Sequence, residues 1–446
     1  MSFKQKPFLG LFVFKIFQYM DISKIHEVFL KCTSVSIDTR KIQSNSLFVA
    51  IKGDNFDANT FAKEALEKGA SYVIVDNSNY CIDDRTILVK NSLKTLQQLA
   101  QYHRNYLKLP IIALTGSNGK TTTKELIYSV LSSKYTTKAT IGNLNNHIGV
   151  PLTLLSFTSE TEIGIVEMGA NHKKEIEFLC ELAQPDFGYI TNFGKAHLEG
   201  FGGVEGVIEG KSEMYSYLFK HKKLVFVNLE DSIQVEKTRS INQFTFGLNT
   251  TAANVSITKV TANPFVTVEF QDLKITSHLI GLYNANNINA AIAIGNYFEV
   301  PNASIKAALE GYIPENNRSQ MITKGTNQII LDAYNANPSS MAVAIENFKQ
   351  LDSPNKMAIL GDMFELGDES LYEHKQIVNS LSNQNEIDCH FVGADFFAHN
   401  LEVKNFHFHA TFDELATYLN KQKINDSTIL IKGSRGMSLE RTLEHI

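Results

Sequence analysis

Leu109-Pro-Ile-Ile-Ala-Leu-Thr-Gly-Ser-Asn-Gly-Lys-Thr-Thr-Thr-Lys124 is the stretch whose reading decides the fold. Ile111 to Leu114 has the length and branching of a strand buried on both faces of a parallel sheet. The run breaks at Gly116, crosses a polar turn and enters Thr121 to Lys134, where apolar residues return at helical spacing. Strand, glycine turn and helix start together form an anion cradle, because backbone N–H groups and the positive end of the helix dipole face one point. Thr115, Gly116, Ser117, Asn118 and Gly119 make the turn, and Lys120 adds a point charge. Thr121, followed by Thr122, offers a hydroxyl to Mg²⁺. The spacing Gly116-x-x-Gly119-Lys120-Thr121 is two residues shorter than the general phosphate-loop pattern. A nucleoside triphosphate is the expected occupant.

Working outward, Ile163-Gly-Ile-Val-Glu-Met-Gly169 reads as a second buried strand that ends in a carboxylate, Glu167. Ligands of parallel sheets collect outside the carboxyl ends of the strands, so Glu167 is expected beside the loop, where it can serve Mg²⁺. A third strand, Phe187-Gly-Tyr-Ile-Thr-Asn192, opens into Phe193-Gly-Lys-Ala-His-Leu-Glu199. His197 alone reads as a structural histidine, and beside Glu167 and a triphosphate as a metal ligand. Asn143, Asn145 and Asn146 crowd between Gly142 and Gly149 and run straight into an apolar, proline-started helix, which favours a binding loop over a plain polar loop. Asn284 and Asn287 open a helix, where their amides either read an adenine edge or cap and face solvent.

At 446 residues the chain exceeds one core, and about two to three domains are expected. Leu107-Lys-Leu-Pro110 and Pro314-Glu-Asn-Asn-Arg318 are the candidate boundaries. The class is α/β with three domains: a small N-terminal α/β domain over 20–107, a central parallel-sheet ATP-binding domain over 108–313, and a Rossmann-like α/β domain over 314–446. Residues 1–19, apolar from Pro7 to Phe17 except for Lys15, are expected to be an upstream extension, too short to span a bilayer. The last domain carries polar clusters at three strand ends: Asp332-Ala-Tyr-Asn-Ala-Asn-Pro-Ser339, Gly361-Asp-Met-Phe-Glu-Leu-Gly367 and Lys432-Gly-Ser-Arg-Gly436. In the first domain Asp38 and Arg40 stand at a strand end, either as ligand contacts or as an exposed turn pair.

Hydrophobic content of 43% and charged content of 20% describe an ordinary globular protein, and a net charge of -5 gives no reason to expect nucleic acid or an anionic membrane as partner. Cys32, Cys81, Cys180 and Cys389 are scattered without a C-x-x-C pair, which fits a reducing, cytoplasmic setting.

These stretches resemble the Mur ligase family, in the branch that joins D-alanyl-D-alanine to UDP-N-acetylmuramoyl-tripeptide. Thr115 to Thr123 is similar to the family's short phosphate loop, and Gly142 to Pro151 and Asp332 to Pro338 are specific to the branch. The resemblance implies an ATP-dependent amide ligase with two Mg²⁺ ions and a C-terminal domain that closes on hinges near 108 and 314. It implies that Lys120 and Thr121 hold the β- and γ-phosphates and the first metal with Glu167, and that His197 ligates a second. Lys211 aligns with a lysine carrying a CO₂-derived carbamate; without that alignment it reads as a solvated helix residue. Asn284 and Asn287 resemble adenine contacts, Arg318 a nucleotide contact, and Asp332 with Tyr334 a ribose or phosphate contact. Asp38 and Arg40 fall in the UDP-binding motif, and Asn143, Asn145, Asn146, Asn335, Asn337, Lys432, Ser434 and Arg435 are candidates for the peptide substrates. A monomer is expected. The chain departs from the family at Phe56-Asp-Ala-Asn-Thr-Phe61, where a glycine–histidine pair is common, and at Tyr283, where a histidine is common. The general base is not singled out.

Overall fold

The computed structural model describes residues 20–315 and 317–446, so the extension expected over 1–19 lies outside the described residues. The chain divides into two compact units between Tyr106 and Leu107. In the first, four parallel strands lie in the order Val35–Ser36, Ser46–Val49, Ala70–Val75 and Thr86–Leu88. Their core gathers Phe48, Ala65, Val73 and Val75, with the helix Ala62–Glu67 packed on one face. The helix Ile22–Phe29 starts on Asp21, whose carboxylate accepts from the Ser23 N–H (3.4 Å) and hydroxyl (2.6 Å).

Asp38 caps the turn Thr39–Lys41 in the same way, and Arg40 closes back on it, Nε to Oδ1 and Nη2 to Oδ2, both at 2.9 Å. That hydrogen-bonded guanidinium holds the Asp38 carboxyl down at about 2. Both residues are therefore engaged within one turn. At Phe56 to Phe61 the two phenylalanine rings stack at 5.5 Å over a short helix that Asp57 caps.

The second unit holds the other two sheets. The larger has nine strands, ordered Leu273–Ile280, Phe265–Phe270, Val255–Ala262, Asn242–Leu248, Leu224–Asn228, Phe187–Ile190, Ile111–Thr115, Ile163–Glu167 and Thr137–Ala139. Pairing is parallel except among the first three strands, of which Phe265–Phe270 alternates buried and half-buried residues. Ile111–Thr115 is buried along its whole length and lies between Ile163–Glu167 and Phe187–Ile190. The chain passes to one side of this strand and then to the other, so a crevice opens at its carboxyl end. The helices Lys120–Ser132 and Ala285–Tyr297 cover one face, packing Ile127, Val130 and Leu131 in one core with Ala290, Ala291 and Ile294. Each such side chain taken fully from water contributes about 1.5–3 kcal/mol for the larger residues.

The smaller sheet has six strands, Gln320–Lys324, Asn327–Asp332, Thr428–Lys432, Lys356–Gly361, Ile387–Val392 and Phe406–His409 in spatial order. Only the first pairs antiparallel, so the doubly wound reading of this region agrees with the observed parallel core. Among the described residues, no helix is long and apolar enough to cross a membrane. All four cysteines are free thiols.

Candidate active site

The loop after Ile111–Thr115 is fixed by its neighbour strand. Ser117 N–H donates to the Asn192 carbonyl (3.0 Å) and Asn118 N–H to Asn192 Oδ1 (3.1 Å). In return Thr191 Oγ1 and Asn192 Nδ2 donate to the Asn118 carbonyl at 2.6 and 3.0 Å. Gly116 has φ +146°, and a Cβ there would stand 1.9 Å from Thr191 Oγ1 and 3.0 Å from the Thr191 nitrogen. A methyl group has no room, and the backbone conformation itself excludes L side chains. Gly116→Ala is expected to cost about 2–5 kcal/mol from strain and overpacking combined. A thermal melt with an ATP titration checks it: unchanged melting and binding contradict the loop geometry.

Lys120, the first residue of the helix, turns its Nζ back to the carbonyls of Gly116 (2.7 Å) and Ser117 (3.2 Å). Burial lowers its pKa, Glu167 opposes that shift, and Arg318 reinforces it. Glu167 is 1% exposed at the end of its strand. Its Oε1 accepts from Asn145 Nδ2 at 2.8 Å, while Oε2 has no hydrogen-bond partner and lies 3.9 Å from the Lys124 ammonium. A buried carboxylate oxygen without a donor, on a cavity also lined by Thr121 and His197, suits a hard dication. Asn145 thus aims the carboxylate. Asn145→Ala is expected to weaken Mg²⁺ activation about 10–100-fold; a Mg²⁺ dependence equal to wild type removes Asn145 from that role.

The cavity measures about 1090 Å³ and is walled on its far side by the smaller sheet. Asn337 Nδ2 donates to Asn118 Oδ1 (2.7 Å), and Lys195 N–H donates to Ser339 Oγ (2.8 Å). Lys195 Nζ pairs with Glu373 (2.6 Å), and His197 Nδ1 pairs with Glu365, which leaves the other ring nitrogen available. A carboxylate behind a histidine ring fixes its orientation. Asp332 takes Lys432 at 2.6 Å and the Ser319 N–H at 3.1 Å. The Arg318 guanidinium lies 3.5 Å from the centroid of the Tyr334 ring, with its Nε buried and without a partner. Lys120, Arg318, Glu167 and the Lys432–Asp332 ion pair all line the cavity, the mixture of cations and carboxylates that a metal–polyphosphate needs.

Of the residues singled out from the sequence, the cavity wall gathers Ser117, Asn118, Gly119, Lys120, Thr121, Thr122, Asn145, Asn146, Glu167, His197, Asn284, Asn287, Arg318, Asp332, Tyr334, Asn335, Asn337 and Lys432. Thr115, Gly116 and Asn143 are not among the residues lining the cavity, and Asn143 is exposed. Ser434 is buried as a brace, accepting from Phe364 N–H (2.8 Å) and donating to the Ala336 carbonyl (3.3 Å). Arg435 turns outward to Glu440 (2.7 Å). The amides of Asn284 and Asn287 are already joined, Asn287 Nδ2 to Asn284 Oδ1 at 2.8 Å, and Asn287 Oδ1 accepts from Thr123 Oγ1 at 2.9 Å. Neither is a solvated cap.

Lys211 stands behind the wall on the helix Val204–Lys220, wholly buried, with Nζ unpartnered and 5.1 Å from the Phe201 ring centroid. It is not the solvated helix lysine that its surroundings in sequence suggest. Burial, with the Lys120 charge adding to it, pushes its pKa down to about 7. Sequence reading gave no role to Thr191, Asn192, Lys195, Ser339 or Glu365. Their only signal was position at strand ends and in polar clusters.

Three family signatures match the chain: the Mur ligase family catalytic domain over 31–104, the Mur ligase middle domain over 114–295, and the Mur ligase glutamate ligase domain over 317–435. The UDP-N-acetylmuramoyl-tripeptide--D-alanyl-D-alanine ligase of Bacillus subtilis is 34% identical over 425 residues, 92% of each chain. The chain belongs to the Mur ligase family. The same-named protein of Haemophilus influenzae is 32% identical over 95% of each chain. Among solved structures, MurF from Acinetobacter baumannii matches this Mur ligase with a TM-score of 0.83 at 29% identity, over 96% of this chain and 98% of that one. MurF ligase from Thermotoga maritima in complex with ADP gives 0.80 at 26%, over 94% and 97%.

Proposed function

We propose that this Mur ligase joins D-alanyl-D-alanine to the C-terminal carboxylate of UDP-N-acetylmuramoyl-tripeptide, consuming ATP through an acyl phosphate, in cytoplasmic synthesis of peptidoglycan precursors. The observation that carries the reading is the match to relatives of that name over more than nine-tenths of both chains, which extends through every sheet and not through the nucleotide cradle alone. The ADP complex of the Thermotoga maritima relative supports a nucleotide on the cradle.

A carboxylate resists amines until one oxygen becomes a leaving group. Transfer of the γ-phosphoryl group to it supplies that group, and the dipeptide amine then displaces phosphate. In-line transfer needs positioning and charge neutralisation more than covalent help. Lys120 holds the β- and γ-phosphate charge at the loop, and Arg318 with its unpartnered Nε adds a second cation. Thr121, Glu167, His197 and Lys211 would hold Mg²⁺, two ions in our reading, which when bound neutralise charge on the transferring group. Asp332 and Tyr334 flank the nucleotide, Asn335, Asn337 and Lys432 serve the amine, Asn145 and Asn146 the acid, and Asp38 with Arg40 belong to the UDP-binding motif of the first unit. A three-domain division at about 107 and 314 goes with these roles.

Lys211 belongs here as a carbamate. Its neutral amine adds to CO₂, forming an N–C bond and releasing one proton, and a buried cation becomes an oxygen donor. The unpartnered Nζ and the pKa of about 7 support this. A ¹³C resonance from ¹³CO₂ that is absent in Lys211→Ala tests it; an identical spectrum from the variant refutes it.

The ligase reading is tested by phosphate release from ATP with D-alanyl-D-alanine and UDP-N-acetylmuramoyl-tripeptide carrying lysine or diaminopimelate. Release is expected only with both substrates, and release independent of either one overturns the assignment.

A further inference from the structure

We propose that Asp388, His390 and His407 form a binding site for Zn²⁺, or a transition metal of similar ligand preference, on the edge of the C-terminal sheet and outside the active-site cavity. His390 and His407 are register partners on the parallel strands Ile387–Val392 and Phe406–His409. Their rings stack with centroids 4.7 Å apart and planes 19° apart. Asp388, two residues before His390, shares its face of the strand. Both histidines turn Nε2 to the one carboxylate, His407 to Oδ1 at 3.0 Å and His390 to Oδ2 at 3.4 Å.

Those separations are informative. Ligand atoms at about 2.0–2.2 Å from a tetrahedral ion stand roughly 3.3 Å from one another. One ligand atom from each of the three residues already lies within 4.8 Å of the others, so side-chain adjustment without backbone movement brings them to an ion. The set of two imidazoles and one carboxylate is that of open Zn²⁺ sites, where a fourth position holds water. Here the open side is outward: the Asp388 and His407 side chains are 39% and 31% exposed, while His390 is wholly buried.

The outer hydrogen bond is also in place. His390 Nδ1 lies 3.1 Å from His409 Nε2, so an imidazole ligating through Nε2 donates its remaining N–H to a neighbour, which fixes ring and tautomer. Tyr418, from the helix Phe412–Leu419, packs against all three rings and forms the wall of the site. An ion here ties the edge strand Phe406–His409 to its neighbour Ile387–Val392 through side chains on one face of the sheet.

The test uses the full chain stripped with a chelator, kept in excess Mg²⁺, and titrated with Zn²⁺ alone and with Co²⁺ as a coloured probe. One equivalent is expected to bind at micromolar concentration or below, with a tetrahedral Co²⁺ spectrum. Melting is expected to rise by roughly 5 °C in saturating Zn²⁺. Asp388→Asn and His407→Ala, both at the partly exposed edge, are each expected to weaken binding at least about tenfold while phosphate release without Zn²⁺ stays at the wild-type rate. Failure of the wild type to bind Zn²⁺ below millimolar concentration overturns the site, as does unchanged binding in the variant carrying both substitutions. If His407→Ala does not fold, Asp388→Asn, which keeps the shape of the side chain, decides alone.

Discussion

Lys120→Ala is expected to lower substrate-dependent phosphate release about 10³-fold, the scale of losing one preorganised charge at a transferring phosphoryl group. The ammonium is held at the loop by the Gly116 and Ser117 carbonyls, at 2.7 and 3.2 Å, so it is in position before any anion arrives. Lys120→Arg should fail to restore the rate, because a planar fork does not fit between two carbonyls that suit a point charge. The check pairs rates with a melting curve. A rate loss under tenfold, with the fold intact, removes Lys120 from the chemistry.

Lys211→Met should abolish activity and yet make the protein more stable. An unfolded lysine titrates near its ordinary 10.5, and the buried one at about 7. Below pH 7 both states carry the proton and the fold bears the full penalty of a buried, unpaired cation, roughly 5 kcal/mol at about 1.4 kcal/mol per pH unit. Between pH 7 and 10.5 only the unfolded chain holds that proton, so this group's contribution to stability improves as pH rises through the window. The melting-temperature gain of Lys211→Met in CO₂-depleted buffer is therefore expected to be several degrees at pH 6 and to shrink towards pH 10. A variant that melts lower than wild type at pH 6 contradicts the buried-cation account. In Lys211→Ala, small carboxylates are expected to restore part of the lost rate, and full activity without them excludes the carbamate.

How much of this was legible in the sequence follows from the range of the interactions. Ile111–Thr115 and the helix after it were readable because branching, glycine and helical spacing act within a few residues. Glu167 was readable for the same reason, as a charge ending an apolar strand. The edge strands Gln320–Lys324 and Phe406–His409 were not, since the first is largely polar and the second alternates phenylalanine with histidine, which hydropathy alone does not score as core. The helix Asn302–Gly311 went unread because its pattern makes sense only against the strand it covers. In the site, Asn145 reaches Glu167 across 22 positions and His197 meets Glu365 across 168, and no local pattern encodes either pairing. Lys211 shows the converse. Taken by itself it read as a solvated helix lysine, and its burial beside Phe201 shows only in the fold.

The hydrogen bond from Asn337 to Asn118 joins the phosphate loop to the start of the helix Pro338–Gln350. A contact made only while these two elements are this close contributes about 1 kcal/mol, or roughly a fivefold bias. By reciprocity, a nucleotide that orders the loop raises affinity on the amine side by the same factor that an amine-side ligand raises affinity for nucleotide. Whichever ligand arrives first, one amide pair makes the second bind about fivefold tighter.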